Sequence, residues 1–355
     1  MNLLENAAKL LETNPNPAFL AKDGKIICAN AAALQRFITV GCDIQPLLLT
    51  GADEYESFTG DCLCLRLNIE DHIYDALVQL YEDMHLFILE TPSTSAELRA
   101  MALVSQELRL PLNGMVNLTD ELLPEMLDSS SQTAQQLAAL NKNLHQLLRI
   151  VGNMSDAYRF STMAEPVLET IDLASFFHEH FEKIKTLLEH TRIDFKYEDI
   201  TEDLYIPVNS EILSKGIYNL FSNAIKFTPA GGSISAKLTK DQKKLSLTIA
   251  NTGNMPDHIR NSAFRRFLRQ PAIEDGRYGI GLGMEVVRAS AAVHRGTVLM
   301  SQNDDTVCMT LTISLLNDTS GHLRSPILRI DTSGGLDLGL IQLSDALPAQ
   351  VYKPQ

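Results

Sequence analysis

Several common sequence features are absent from this chain of 355 residues, and each absence excludes a class of protein or site. Its five cysteines include no Cys-X-X-Cys pair. Cys62 and Cys64, one residue apart in a strand-like run, fit small hydrophobic residues better than zinc ligands. No run of about 18 apolar residues occurs, and the acids within the apolar N-terminal stretch do not fit a signal peptide. These absences predict a cytoplasmic protein that does not span a membrane.

Basic residues are also scarce. Lys and Arg together number 30 against 44 Asp and Glu, which gives a net charge of −14. A chain this acidic is not a general binder of nucleic acid or of anionic membrane, although a few backbone N–H groups and one lysine suffice to bind a phosphate locally. Hydrophobic residues make up 45% and charged residues 21%, which is typical of a globular protein. The length allows two or three domains, and no internal repeat occurs.

Residues 1–91 have an α+β pattern. Asn14-Pro15-Asn16-Pro17 ends a short helix, and Asp23-Gly24 between two apolar runs predicts a hairpin. Asn30 precedes an alanine-rich helix. Three later strands are predicted, at 63–69, 73–80 and 86–89. This order, with the segment PNPAFLAKDGKIICANAAA, resembles a PAS sensor domain; the alternative is another small α+β domain.

Residues 93–162 are predicted to form an antiparallel helical hairpin. Thr94 and Glu97 make a capping box, and Pro124 with the serines 129–131 marks the turn. Apolar or small residues follow a 3–4 spacing in both helices: Leu98, Met101, Ser105, Leu108, Leu112, Met115, Thr119 and Leu122 in the first, and Leu137, Leu140, Leu144, Leu147, Val151, Met154 and Tyr158 in the second. Two helices alone bury such seams poorly, so we expect a four-helix bundle made by two chains. A monomeric hairpin packed on its own domains is the alternative.

Residues 165–316 form a second α/β region that contains the most informative helix. Asn209-Ser210-Glu211 predicts its N-terminal cap. Asn219 and Asn223 lie four residues apart and Lys226 three further on, so all three share one face. Amide carbonyls are hard oxygen ligands, so this face fits a magnesium–phosphate surface. An ordinary polar helix face is the alternative.

Two further motifs follow in the same region. A strand, LSLTIANTGNM, runs into Asn251-Thr252-Gly253, and a long segment containing AFRRFLRQ comes next. Gly279-Ile280-Gly281-Leu282-Gly283 then opens a helix. Glycines at a helix start let backbone N–H groups approach phosphate, with help from the helix dipole.

Together these motifs resemble the ATP-binding domain of histidine kinases, in the GHKL family that also contains gyrase-type and heat-shock-chaperone ATPases. NLFSNAIKFTPAGG resembles the N box, NTGNM the G1 box, FRRFLR the F box, GIGLGMEVV the G2 box, and HRGTV the last glycine motif. The resemblance implies an α/β sandwich with ATP and Mg²⁺ as ligands. It implies that Asn223 holds Mg²⁺ and that Asn219 and Lys226 contact metal or phosphate. The remaining implied nucleotide-binding residues are Asn251, Gly253, Gly279, Gly281, Leu282 and Gly283.

The G1 box departs from the family pattern. Asn251 stands where the family usually has an aspartate that accepts a hydrogen bond from the adenine amino group, and Met255 replaces the second glycine. A bond to a charged acceptor contributes about 1.5–3 kcal/mol and a neutral one about 0.5–1.5. The exchange should therefore cost about 1 kcal/mol, or roughly fivefold in affinity.

The first hairpin helix contains SQELRLPL, which resembles the H box of histidine kinases. The phosphorylated histidine of the family falls at Gln106, while the catalytic-site neighbour Glu107 is kept. An amide nitrogen is delocalised into its carbonyl and is not a base, so Gln106 cannot act by the covalent route of the family. His145, expected to be exposed on the second helix, is the alternative acceptor.

The sequence therefore predicts an α+β multidomain protein: a PAS-like domain, an antiparallel helical hairpin and a GHKL-type sandwich, followed by a tail (317–355) expected to add strands or cover a sheet edge. The predicted function is a cytoplasmic sensor of the two-component histidine-kinase family that binds Mg-ATP and acts as a regulatory pseudokinase or on a partner. Expected partners are a second copy and a response regulator or partner kinase, with no nucleic acid or membrane.

Three other functions stay open. The first is an active histidine kinase that autophosphorylates at a non-standard residue. The second is a hydrolysing ATPase, but Asn219 stands where that class has its glutamate base and is a poor base. The third is an interaction protein that does not bind ATP.

Overall fold

The computed structural model describes residues 11–90, 95–122, 132–162, 166–200, 202–255, 282–315 and 336–352. The strands, numbered in chain order, are β1 Ala18–Lys22, β2 Lys25–Ala29, β3 Cys62–Ile69, β4 His72–Tyr81, β5 Met84–Glu90, β6 Glu169–Asp172, β7 Asp194–Glu198, β8 Tyr205–Val208, β9 Ser233–Lys240, β10 Lys244–Thr252, β11 Val298–Asn303 and β12 Thr306–Ser314. The α-helices are α1 Ala31–Leu34, α2 Ala52–Glu56, α3 Ser95–Leu122, α4 Gln132–Thr162, α5 Leu173–Leu188, α6 Ser210–Phe227, α7 Leu282–Val293 and α8 Leu338–Gln342. Short 3₁₀ helices cover Gln45–Leu47 and Ala349–Tyr352.

The first five strands form a sheet in the order β2-β1-β5-β4-β3. The predicted hairpin is confirmed: Asp23 and Gly24 have φ of 50° and 76°, which suits a tight turn between β1 and β2. Asn30 caps α1 as predicted, because its side-chain oxygen accepts from the backbone N–H of Ala33. The same oxygen accepts from Ala18, which ties the helix to β1.

Helices α3 and α4 pack together as the predicted hairpin. Their shared core comprises Leu112, Val116, Leu144, Leu148 and Val151. Along the part of the seam that the structure describes, buried and exposed positions alternate, since one hairpin covers only one face of each helix. Seam residues left exposed are Leu108, Met115, Leu140 and Leu147. Although α3 and α4 are long, no described helix is apolar enough over a sufficient length to cross a membrane.

The second α/β region is a mixed sheet packed against helices. Its strands follow the order β11-β12-β10-β9-β7, with β7 parallel to β9 and the other pairs antiparallel. Phe177 and Phe181 of α5, Phe221 of α6 and Val287 of α7 pack on the strands in one core. Strands β6 and β8 form a separate pair. This is the α+β class that the sequence predicts.

The two sheets join edge to edge into one sheet of ten strands. Antiparallel pairing of β3 with β11 sets Cys64 against Val298 and Cys62 against Met300. Both cysteines are buried, as expected of small hydrophobic residues. Beside this junction, Arg288 of α7 donates to both carboxylate oxygens of Glu90 on β5, at 2.6 and 2.8 Å. The N-terminal sheet is therefore fixed directly to the C-terminal one.

The described part of the tail, residues 336–352, corrects the expectation of added strands. Asp337 caps α8 by accepting from the N–H of Leu340, so the apolar run after it forms a helical turn. Ile341 enters the hairpin core, whereas Leu343 and Tyr352 enter the core of the second α/β region. This tail segment thus fills the junction between α4 and α6.

Candidate functional site

The site is built on α6, whose start is fixed by two polar contacts. Asn209 caps the helix as predicted, with its side-chain oxygen accepting from Ile212 N–H at 2.9 Å. The backbone N–H of Asn209 donates to Nε2 of His294 at 3.0 Å. Nδ1 of the same imidazole faces the carbonyl of Ser290 at 2.7 Å and must therefore carry the proton. Burial lowers the pKa of His294 to about 4, so the ring stays neutral.

Asn219 lies in the middle of α6 and is completely buried. Its Nδ2 donates to the carbonyl of Lys215 at 2.9 Å and to Oε1 of Gln342 in the tail at 3.4 Å. Its Oδ1 accepts from Nη2 of Arg149 on α4 at 3.2 Å. Both atoms of this amide are thus engaged by the hairpin and the tail.

The start of α7 lies directly against this amide. A Cβ at Gly283 would come within 2.7 Å of Asn219 Oδ1, which explains why the position requires glycine. Leu282 is buried beside it. One turn along α6, Nδ2 of Asn223 contacts Sδ of Met284 at 3.0 Å. The structure thus brings the N-box-like helix and the glycine-rich helix start together.

The end of β10 meets the C-terminal end of α6. Gly253 has a φ of 144°, and a Cβ there would lie 2.3 Å from the carbonyl oxygen of Phe227, the residue after Lys226. Asn251 is buried, and its Nδ2 donates to the carbonyl of Thr252 at 3.3 Å. Met255 is buried as well, with its N–H donating to Gln302 Oε1 at 3.0 Å. All three predicted stretches therefore meet around α6.

Lys226 has an acidic partner that the motif does not predict. Its ammonium forms an ion pair with the carboxylate of Asp345 in the tail, and Arg149 pairs with the same carboxylate. Ser222 Oγ donates to Asp345 Oδ1 at 2.9 Å and accepts from Arg149 Nη2 at 3.1 Å. Burial and the neighbouring Arg149 lower the pKa of Lys226. Burial works against the charged form of Asp345, but Arg149 and Lys226 outweigh it and hold its pKa below the usual value.

Sequence reasoning missed Arg149, Asp345 and His294. Arg149 follows Leu148 on the hairpin, where a charged residue is normally predicted to be exposed to solvent. Asp345 lies in the tail, which contains no recognisable motif. Only the fold brings these residues to α6. His294 had one available signal, since it stands in HRGTV, but nothing in that motif names its partner on another helix.

Several predicted site residues fall elsewhere. Gly279 and Gly281, together with the F-box-like segment, lie outside the described residues. Gln106 lies within α3, and Glu107 is exposed on the same helix. The expectation that His145 is exposed is wrong: only 3% of the residue is accessible, because Tyr352 of the tail packs on its ring at 5.0 Å.

A family model described as "Histidine kinase-, DNA gyrase B-, and HSP90-like ATPase" matches residues 209–317, the range that contains these three stretches. The C-terminal α/β region is therefore a GHKL-type ATPase domain.

The curated relatives agree with this class. A hybrid signal transduction histidine kinase D of Dictyostelium discoideum is 29% identical over 204 residues, which are 55% of this chain and 13% of that protein. A sensor-like histidine kinase of Rhizobium meliloti is 27% identical over 285 residues, 72% of this chain and 52% of the relative. The sensor histidine kinase CusS of Escherichia coli is 24% identical over 208 residues, which are 56% of this chain and 42% of that protein. The chain spans about half or less of the length of these relatives, all three of which are histidine kinases.

Solved structures include histidine kinases as well. Full-length ShkA in complex with AMPPNP aligns with a TM-score of 0.48 at 20% identity, over 61% of this chain and 45% of that one. ThkA in complex with the response regulator TrrA aligns with a TM-score of 0.42 at 16% identity, over 86% of this chain and 97% of that one. These scores are too low to establish a shared overall arrangement.

Proposed function

We propose that this protein is a sensor of the two-component histidine-kinase family that binds Mg-ATP on α6 and regulates a partner without phosphorylating itself at the usual position. The convergence of Asn219 and Asn223 on α6, Gly253 after β10 and Gly283 at the start of α7 is the observation that carries the proposal. The three stretches that carry these residues are distant in sequence, and each contacts or lies on α6.

The residues present fit a magnesium nucleotide. Mg²⁺ is usually held by one or two protein oxygens together with phosphate oxygens and water, and an amide oxygen of Asn223 satisfies that need. Lys226 and Arg149 supply positive charge beside it. Bound Mg²⁺ would neutralise phosphate charge, while Asn251 would accept from the adenine amino group through its side-chain oxygen.

The absence of a nucleophile at Gln106 supports a pseudokinase role, or phosphorylation of a histidine on a partner. The alternative, autophosphorylation at another residue, is disfavoured for His145, whose ring is covered by Tyr352 and whose Nδ1 bonds to the carbonyl of Asn141 at 2.9 Å. A response regulator is the expected partner, as the similarity to signal transduction histidine kinases implies.

The test is incubation of purified protein with γ-labelled ATP. We expect no acid-labile label on the wild type and new label on Gln106→His, because that change restores the missing imidazole next to Glu107. Gln106→Asn is the matched control and should stay unlabelled. Acid-labile label on the wild type would contradict the proposal, and His145→Ala then shows whether His145 is the residue that carries it.

We further infer a homodimer through the hairpin. The exposed apolar residues of both helices form a stripe that a second hairpin would cover: Leu103, Val104, Leu108, Met115, Leu118, Leu140, Leu147 and Ile150. A stripe of this length on a water-soluble surface is typical of an interaction site, and the four-helix bundle is the arrangement that buries it.

The N-terminal region is proposed to be a PAS sensor domain of residues 1–91, preceding a hairpin domain (93–162) and the ATPase domain (165–316). Its five-stranded sheet in the order β2-β1-β5-β4-β3, with short helices between β2 and β3, supports this assignment. Because β3 pairs with β11 of the ATPase domain, a signal sensed here has a direct route to that domain. We place the protein in the cytoplasm.

A further inference from the structure

Two buried cations converge on one point of the candidate nucleotide site. Lys226 of α6 and Arg149 of α4 have side chains only 7% and 10% exposed, and both pair with the carboxylate of Asp345. Ser222 completes the cluster with a hydroxyl that bonds to both Arg149 and Asp345. This is an anion site, and its present anion belongs to the tail of the same chain.

The charges of this cluster are unequal. Two cations face one carboxylate, so the cluster retains one net positive charge. A phosphate group carries more negative charge than a carboxylate and offers three oxygens, which suits an arginine, a lysine and a hydroxyl together. The site therefore fits a nucleotide phosphate better than it fits Asp345.

We propose that Asp345 occupies a phosphate subsite of the nucleotide site, formed by Lys226, Arg149 and Ser222, so that the tail and the nucleotide compete for it. This inference rests on the proposed function. It assigns Arg149, a hairpin residue outside every recognised motif, as a phosphate-binding residue. It also makes the tail segment 336–352 an internal inhibitor of nucleotide binding.

Further contacts hold the tail in place. Gln342 accepts from Asn219, the backbone carbonyl of Ser344 accepts from Gln146 at 3.2 Å, and the carbonyl of Tyr352 accepts from Asn141 at 3.2 Å. Two of these donors are hairpin residues and the third is on α6. The tail thus contacts both the hairpin and the ATPase domain at the site, which couples nucleotide access to the position of the hairpin.

Competition makes a quantitative prediction. If only a fraction of molecules has the tail displaced, the apparent affinity for nucleotide is reduced by that fraction. Removing the charge of Asp345 with Asp345→Asn leaves two unpaired cations under the tail and favours its release. We expect this variant to bind a fluorescent ATP analogue with Mg²⁺ roughly tenfold more tightly than the wild type.

Glu198→Gln is the matched control, because it removes one carboxylate charge by the same isosteric exchange at an exposed strand position far in sequence from the tail. It should bind as the wild type does. Arg149→Ala is then introduced into the Asp345→Asn protein, and unlabelled ATP or adenosine is used to displace the fluorescent analogue. We expect the affinity for ATP to fall roughly tenfold and the affinity for adenosine, which has no phosphate, to stay unchanged. That difference separates a phosphate contact from a general loss of packing.

The outcomes distinguish this inference from the proposed function. Equal or weaker binding by Asp345→Asn, with a wild type that binds, overturns the competition alone. Failure of every variant to bind overturns both proposals. Hydrogen exchange of the unmodified protein gives an independent check: saturating Mg-ATP should lower the protection of amides in 338–347, and unchanged protection there would contradict tail displacement.

Discussion

At the scale of single residues, buried polar side chains hold the α6 site together. Asn219 and His294 have almost no exposed surface, and each combines a hydrogen bond to the preceding helical turn with one to another element. A buried polar group without partners costs about 1–3 kcal/mol, so these contacts restrict the orientation of each ring or amide. His294 in particular ties α7 to the N-terminus of α6.

His294 gives the protein a predictable dependence on pH. Its pKa is lowered from 6.5 to about 4 by burial, so the folded chain binds fewer protons than the unfolded chain between these values. The free energy of unfolding should therefore be unaffected by this group above pH 6.5 and fall as the pH drops towards 4, by about 3 kcal/mol in total. Urea denaturation across this range measures the loss. His294→Gln should flatten the dependence, and the exposed control His72→Gln should not; equal slopes in all three proteins would refute the assignment.

The motif residues of α6 were predictable because a repeat of four and three residues fixes one helix face whatever surrounds it. The sequence identifies Gly253 and Gly283 as motif glycines but does not explain why glycine is needed there. The fold supplies the reason, because a side chain at Gly283 would clash with Asn219 and one at Gly253 with Phe227. The roles of Arg149 and Asp345 were not predictable, because the sequence around a charged residue does not indicate which distant element it contacts in the fold.

At the scale of elements, the sequence predicts the individual helices and strands better than the contacts between them. Hairpin, capping and strand positions follow from local periodicity and turn residues, which is why β1 to β5, α1 and α6 match their predicted places. The pairing of β3 with β11 and the position of α8 depend on surfaces that are complementary only in three dimensions. An edge strand offers the same unpaired N–H and C=O groups to any partner, so its sequence does not specify which one it finds.

The ion pair between Arg288 of α7 and Glu90 of β5 is a buried polar contact across this junction, made through two hydrogen bonds. Burial opposes the charge of Arg288, yet Glu90 and Glu285 outweigh it and raise its pKa. Removing one member leaves a buried charge unpaired, so Arg288→Met should lower the free energy of unfolding by about 3–5 kcal/mol.

The double variant Arg288→Met with Glu90→Gln should recover part of that loss, because Glu90 then no longer leaves a buried carboxylate without its arginine. The recovery stays partial because Glu285, 3.7 Å from Arg288, also loses that partner. Lys243→Met, which breaks the exposed pair with Asp53, is the control and should change little. Chemical denaturation of the four proteins decides the matter. A loss of the same small size for both single variants would show that the junction is not held by Arg288.

At the scale of the whole molecule, one chain leaves the hairpin seam half covered. Burial of the exposed stripe in a second copy predicts that Leu140→Glu with Leu147→Glu converts a dimer into a monomer, since each glutamate would place a charge in the bundle core. Light scattering after size-exclusion chromatography measures the mass. Gln135→Glu, at an exposed position on another side of α4, is the control and should stay dimeric. A monomeric wild type, or a double variant that stays dimeric, would contradict this arrangement.

The central claim is that α6, the end of β10 and the start of α7 bind one magnesium nucleotide. It is tested most directly by titrating a fluorescent ATP analogue into the wild type, Asp345→Asn and Asn223→Ala, with and without Mg²⁺. We predict Mg²⁺-dependent binding by the first two and at least roughly tenfold weaker binding by Asn223→Ala, with Asn68→Ala, at an exposed position of β3, as an unaffected control. Absence of binding to both the wild type and Asp345→Asn, or binding by Asn223→Ala as tight as by the wild type, would contradict the account.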